Sequence, residues 1–173
     1  MVHTRRLPAN EAAARRFAEE LWLPYHRDLE AAVDDHELVD DVPLEEEVEF
    51  RLDLLDSDTY RAWVAVEGDP TEEPLADLSR ELVGFVTANL DSCPPVFDRP
   101  DRLKIGDFYV QESRRGDGLA GDLLDCVLEY ARERGTPELS LDVDADNERA
   151  LGFYEKVGFE PYRHHMTVPV EDV

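Results

Sequence analysis

The chain is 173 residues long, which suits a single domain, and hydrophobic residues make up 42% of it, enough for a packed core. Acidic residues number 42 against 18 lysines and arginines, a formal net charge of −24, which argues strongly against nonspecific nucleic-acid binding because that depends on cations neutralising phosphates. No run approaches the ~18 apolar residues of a membrane span, and residues 1–8 are basic with no apolar stretch behind them, unlike a secretory signal, so cytoplasmic residence away from membranes is expected.

The segment around Val2 to Leu7 reads as a short strand. Asn10 looks like a helix cap, with Ala13, Phe17 and Leu21 following at spacing four. Pro24 is expected to break that helix and to sit in the first turn of the next, where Tyr25, Leu29 and Val33 are again four apart. After the acidic stretch 40–43, Leu44, Val48, Leu52 and Leu55 form a third helical stripe. The period then changes. Tyr60 to Glu67 and Glu81 to Leu90 read as strands that pair as a hairpin with a long connection; Gly84 lies inside the second. Leu103 to Val110 is a third central strand. Gly118 to Arg134 is an amphipathic helix ended by Gly135 and Pro137. Leu139, Leu141 and Val143 alternate with polar residues, which predicts a half-buried strand over 138–144. Asn147 to Val157 is the last helix, closed by Gly158, and Tyr162 to Val170 is a final strand. This order predicts an α/β fold, a mixed sheet with helices on both faces.

Among the cations only Lys104 and Lys156 are lysines. Acidic excess with scarce lysine resembles the cytoplasmic proteins of extreme halophiles. At ~1 M salt the Debye length falls to ~3 Å, so self-repulsion is screened while carboxylates stay hydrated. An acidic face for a basic partner is the rival reading, but the acids are spread along the whole chain. Cys93 and Cys126 have neither framework nor metal-site spacing and are expected to be free thiols.

The informative segment runs from Asp107 to Ala120. A strand enters a short basic turn, and Gly116 and Gly118 then open the amphipathic helix. Free amides at a helix start, together with the macrodipole, make an anion site, and glycines let a phosphate approach the backbone. The absence of Gly-Lys-Ser/Thr excludes a P-loop, and the three-glycine dinucleotide fingerprint is also missing. A Gly-containing turn without a ligand is the bland alternative.

At Arg115-Gly116-Asp117-Gly118-Leu119-Ala120 the sequence resembles the GNAT family, the GCN5-related N-acetyltransferases, whose cofactor motif is Gln or Arg, two residues, Gly, one residue, then Gly or Ala. A second block, Asn147 followed by Ala150, Phe153-Tyr154 and Gly158-Phe159, resembles the family's other motif. The resemblance covers roughly Tyr60 to Val168. It implies one domain over 1–173, with 1–58 shaping the acceptor site and 59–173 binding acetyl-CoA. The implied sheet is mostly antiparallel, with a splayed parallel strand pair, the acyl-CoA N-acyltransferase fold.

The resemblance also implies site roles. The pantetheine arm would lie along Phe108, Tyr109 and Val110, and the pyrophosphate on Arg115 to Ala120. Tyr154 would protonate the departing thiolate; ordinary core packing is its other reading. Asn147 would face the cofactor or simply cap its helix. Asp107 is a candidate general base, placed by alternation on one face with Ile105 and Tyr109; a plain sheet acid is the alternative. Asp117 departs from the family, where many members carry a cation. No metal is expected, since His164 and His165 lack ligands at metal spacing. The implied function is acetyl transfer to a primary amine, on a small molecule, a peptide or a protein, by direct attack in a ternary complex. A homodimer is common in the family. A noncatalytic acyl-CoA-binding module and a different acyl donor are the alternatives.

Overall fold

The computed structural model describes residues 1–172 and divides into two compact units, residues 1–142 and the residues from Val143 onward. The first unit is a five-stranded sheet in the order β1-β2-β3-β4-β5, with β1 at Val2–Arg6, β2 at Tyr60–Glu67, β3 at Leu82–Asp91, β4 at Arg102–Val110 and β5 at Glu138–Leu141. Every neighbouring pair is antiparallel except β4 with β5, which is parallel.

Helices cover both faces. Tyr60, Ala62, Val64 and Val66 of β2 join Phe85 and Tyr109 in one core with Phe17 and Leu21 from the N-terminal helices; the Phe17 and Phe85 rings meet edge-on at 4.8 Å. The intervening residues face α4, Leu119–Arg134: Trp63 lies 5.8 Å from the Tyr130 ring, and the Arg61 guanidinium stacks over that ring at 4.0 Å.

Asn10 is the N-cap of α1, Glu11–Phe17, its side chain accepting from the Ala13 amide, a cap worth ~1 kcal/mol. Pro24 sits in the first turn of the next helix, as expected, but does not break the first. A π-helical turn, Ala18–Trp22, joins α1 directly to α2, Leu23–Glu30, with the Leu23 amide bonded to the Ala18 carbonyl. A proline ring clashes with the carbonyl four residues back, here Glu20, and lacks a donor for it; the widened turn just before Pro24 removes both problems. Helix α3, Leu44–Leu55, completes this layer.

A bulge lies in β4. Val86 faces Phe108 and Ala88 faces Ile105, so Gly106 and Asp107 together oppose Thr87. A Cβ on Gly106 would sit 2.7 Å from Thr87 Oγ1, which explains the glycine. The bulge also corrects the alternation expected for Asp107. Tyr109 pairs with Phe85 and Ile105 with Ala88, three residues apart on β3, so Ile105 and Tyr109 occupy opposite faces.

The second unit holds α5, Glu148–Val157, ended by Gly158 in the left-handed region at φ 102°. The strand expected at Tyr162 to Val170 is not present. Residues 160–169 have no regular secondary structure, and Tyr162, Met166, Val168 and Val170 are exposed. Alternation of apolar residues marks a strand only where a neighbouring strand supplies its ladder.

Candidate active site

The parallel ladder between β4 and β5 runs from Arg102↔Glu138 to Ile105↔Leu141 and stops there, while β4 continues five residues to Val110. The Gly106–Asp107 bulge follows directly on the last paired residue of β4. Beyond Val110 the chain makes a 3-10 turn at Glu112–Arg114 and reaches the glycine loop.

Gly116 and Gly118 have φ values of 91° and 88°, and a Cβ at either would meet nothing within 4 Å. Backbone conformation, not crowding, demands glycine there. Among the described residues the amides of Gly116, Asp117, Gly118, Leu119 and Ala120 have no hydrogen-bond acceptor; the first helical bonds are those of Gly121 and Asp122 to the Gly118 carbonyl. These donors and the positive end of the 16-residue α4 dipole make an anion cradle.

The two arginines beside the cradle have acidic partners of their own. Arg115 points inward, its Nε donating to the Val110 carbonyl at 3.0 Å and its Nη2 to Asp28 of α2 at 2.6 Å. Arg114 pairs with Glu67. Asp117 is exposed. Neither arginine is left over to neutralise a phosphate, so the cradle rests on backbone amides.

Asp107 lies on the face covered by α2 and α3. Its amide donates to Thr87 Oγ1 at 2.9 Å, and its Oδ2 is 3.7 Å from Arg51 Nη2. Arg51 is buried. It bonds Glu47 Oε1 at 2.6 Å, donates to the Tyr60 hydroxyl and stacks over Phe17 at 4.9 Å. Burial alone would lower its pKa, but Tyr60, Glu47 and Asp107 together raise it, and it stays charged. Burial pushes the Tyr60 hydroxyl up, and it stays neutral. Burial also pushes the Glu47 carboxyl up, against the pull of Arg51. His26 of α2 belongs to the same cluster, within electrostatic reach of Asp107 and Arg51.

In the second unit Asn147 caps α5, its Oδ1 accepting from the Ala150 amide at 3.2 Å. Tyr154 is half-buried, with its ring 5.5 Å from those of Phe153 and Phe159. The structure therefore brings Asp107, Phe108, Tyr109, Val110 and the 115–120 loop along one continuous path, and places Asn147 and Tyr154 on α5. Sequence reasoning missed Glu47, Arg51, Tyr60, Thr87 and His26. Two signals were legible: Gly106 inside a strand, which marks a bulge, and Arg51 at the helical spacing of Val48 and Leu55, a charge on an apolar stripe.

A family model described as the acetyltransferase (GNAT) family matches residues 14–159. Over 54 residues the chain is 41% identical to an N-alpha-acetyltransferase 30 of Schizosaccharomyces pombe, a match covering 31% of this chain and 36% of that one. Matched stretches span only 36%, 37% and 38% of the length of three such curated relatives. Among solved structures, a tetramutant of the BH1408 protein from Bacillus halodurans superposes with a TM-score of 0.72 at 17% identity, covering 97% of this chain and 99% of that one. The aminoglycoside N-acetyltransferase AAC(6')-Iy in complex with CoA superposes with a TM-score of 0.68 at 15% identity, covering 98% and 94%. At these identities the likeness is one of fold.

Proposed function

This chain belongs to the acetyltransferase (GNAT) family, and we propose that it moves the acetyl group of acetyl-CoA to a primary amine by direct attack in a ternary complex. One observation carries the reading: the parallel ladder ends at Ile105↔Leu141, and the β4 that outruns it leads into five amides without acceptors.

The amides of Gly116 to Ala120 fit a diphosphate, which needs several convergent donors and no side-chain base. The pantetheine arm then runs along Phe108, Tyr109 and Val110 in the direction of the absent ladder, so the thioester lies toward the bulge. A backbone donor on the thioester oxygen is worth ~3 kcal/mol in the transition state. Holding amine and thioester in contact removes ~7–11 kcal/mol more. Asp107 supplies negative charge beside the incoming ammonium, and the net charge of −24 draws cationic amines toward the protein. Tyr154 carries the proton to the departing thiolate, which suits a phenol of pKa ~10. Asn147, already spent on its cap, contributes by fixing the start of α5. The acceptor is a small amine or the amine of a peptide or protein, and the protein works in the cytoplasm at high salt, as one domain, with a homodimer as its assembly.

The test is thiol release from acetyl-CoA in 2 M KCl over butylamine, putrescine, lysine methyl ester and an alanine-initiated peptide. Release with at least one amine, and a lowered kcat in Tyr154→Phe at unchanged acetyl-CoA affinity, are expected. Tight coenzyme binding with no release for any amine would mark a binding module instead.

A further inference from the structure

An alkylammonium of pKa ~10.4 must shed a proton before its nitrogen can attack a thioester. Asp107 is poorly placed to take it. Its carboxylate faces Arg51, and that guanidinium is fixed by Glu47 and Tyr60.

His26 lies within electrostatic reach of this pair. Its ring is wedged between Trp22, with centroids 4.5 Å apart, and Tyr25, at 4.7 Å, and Tyr25 in turn packs against Tyr109 of β4 at 5.8 Å. The aromatic flanks hold the half-buried imidazole in place. Among the described residues neither ring nitrogen has a hydrogen-bond partner, and neither is sealed from solvent. A structural histidine spends a nitrogen on the fold, as His3 does on the Gly68 carbonyl. His26 spends none.

On the acetyl-transfer reading above, we infer that His26 is the general base for the acceptor amine. The ammonium gives one proton to an imidazole nitrogen, which later passes it to water. The freed nitrogen forms the N–C bond to the acetyl carbonyl, and the C–S bond breaks. The leaving thiolate takes a proton from the acid assigned above, and the second proton of the attacking nitrogen restores that acid. Asp107 stabilises the imidazolium as it forms and is not itself the proton acceptor.

The charges facing His26 are Asp107 from β4, Arg51 from α3 and His36 from the turn after α2. Burial is the largest influence and lowers its pKa; His36 and Arg51 act in the same direction and Asp107 opposes them. The ring is therefore neutral at pH 7, and activity falls as acid protonates it.

The experiment is the pH profile of kcat/KM for thiol release in 2 M KCl, with the fastest amine of the panel, for wild type, His26→Gln and His26→Ala. We expect an acid limb below the ordinary histidine pKa in wild type. His26→Gln should lose that limb and about 10²–10⁴-fold in kcat/KM while binding CoA normally, and added imidazole should restore part of the His26→Ala rate. If His26→Gln no longer binds CoA, imidazole rescue of His26→Ala decides, and its absence overturns the inference. Wild-type release with the same acid limb in His26→Gln overturns this inference alone. No release by wild type with any amine overturns it together with the transferase reading.

Discussion

The backbone amide of Asp107 donates to Thr87 Oγ1 at 2.9 Å, across the point where two residues of β4 face one of β3. That bond spans the bulge that follows the last β4–β5 pair, and the Asp107 carboxylate lies 3.7 Å from Arg51 of α3. Fold and candidate site meet at this contact.

Gly106→Ala tests the bulge. The added methyl would sit 2.7 Å from Thr87 Oγ1, the atom that accepts from the Asp107 amide. Overpacking of this kind costs ~1–3 kcal/mol, or about 2–12 °C in Tm for a chain this size. Thermal unfolding measures it, and a wild-type Tm would show that the bulge does not need glycine.

Arg51→Met removes the cation that Glu47 faces. An unpaired buried charge costs ~3–5 kcal/mol, and adding Glu47→Gln should recover most of it. Burial already holds the Glu47 carboxyl above its ordinary range. Without Arg51 it rises further, so the single variant is most stable where Glu47 is protonated and loses stability as pH rises through that raised pKa. Denaturant titrations at several pH values check both points.

Asp117→Asn should tighten coenzyme binding at low salt. Arg114 and Arg115 are committed to Glu67 and Asp28, so neither is left to offset the Asp117 charge beside a bound diphosphate. Screening at ~1 M salt shortens the Debye length to ~3 Å and should erase most of the difference. Equal affinities of variant and wild type at 0.1 M KCl would contradict this.

The excess of acids predicts that folding needs molar salt. Melting at 0.1 M and 2 M KCl measures this directly, with a higher Tm expected at 2 M. Equal melting temperatures would defeat the salt-adapted reading.

Most of the architecture was legible because its signals are local. Asn10 is a cap by residue type, α4 shows a wide apolar stripe, and the β2–β3 hairpin follows from two β-rich runs. The glycine loop was legible for the same reason: Gly116 and Gly118 stand where the backbone goes left-handed. The misses depend on tertiary partners. Pro24 looks like a break in sequence because a one-dimensional pattern cannot show a widened turn absorbing it. The facing of Asp107 was half wrong because a bulge shifts the period by one residue. His26 was passed over because its setting comes from α2 being laid over β4, with Tyr25 meeting Tyr109. Residues 162–170 alternate like a strand yet pair with none among the described residues.

Calorimetry of coenzyme A in 2 M KCl, on wild type and on Gly116→Val/Gly118→Val, tests the anion cradle most directly. The account predicts saturable heat for wild type and an affinity at least about tenfold weaker, a loss of ~1.4 kcal/mol or more, for the double variant. Equal binding by both proteins, or no heat from wild type, would contradict it.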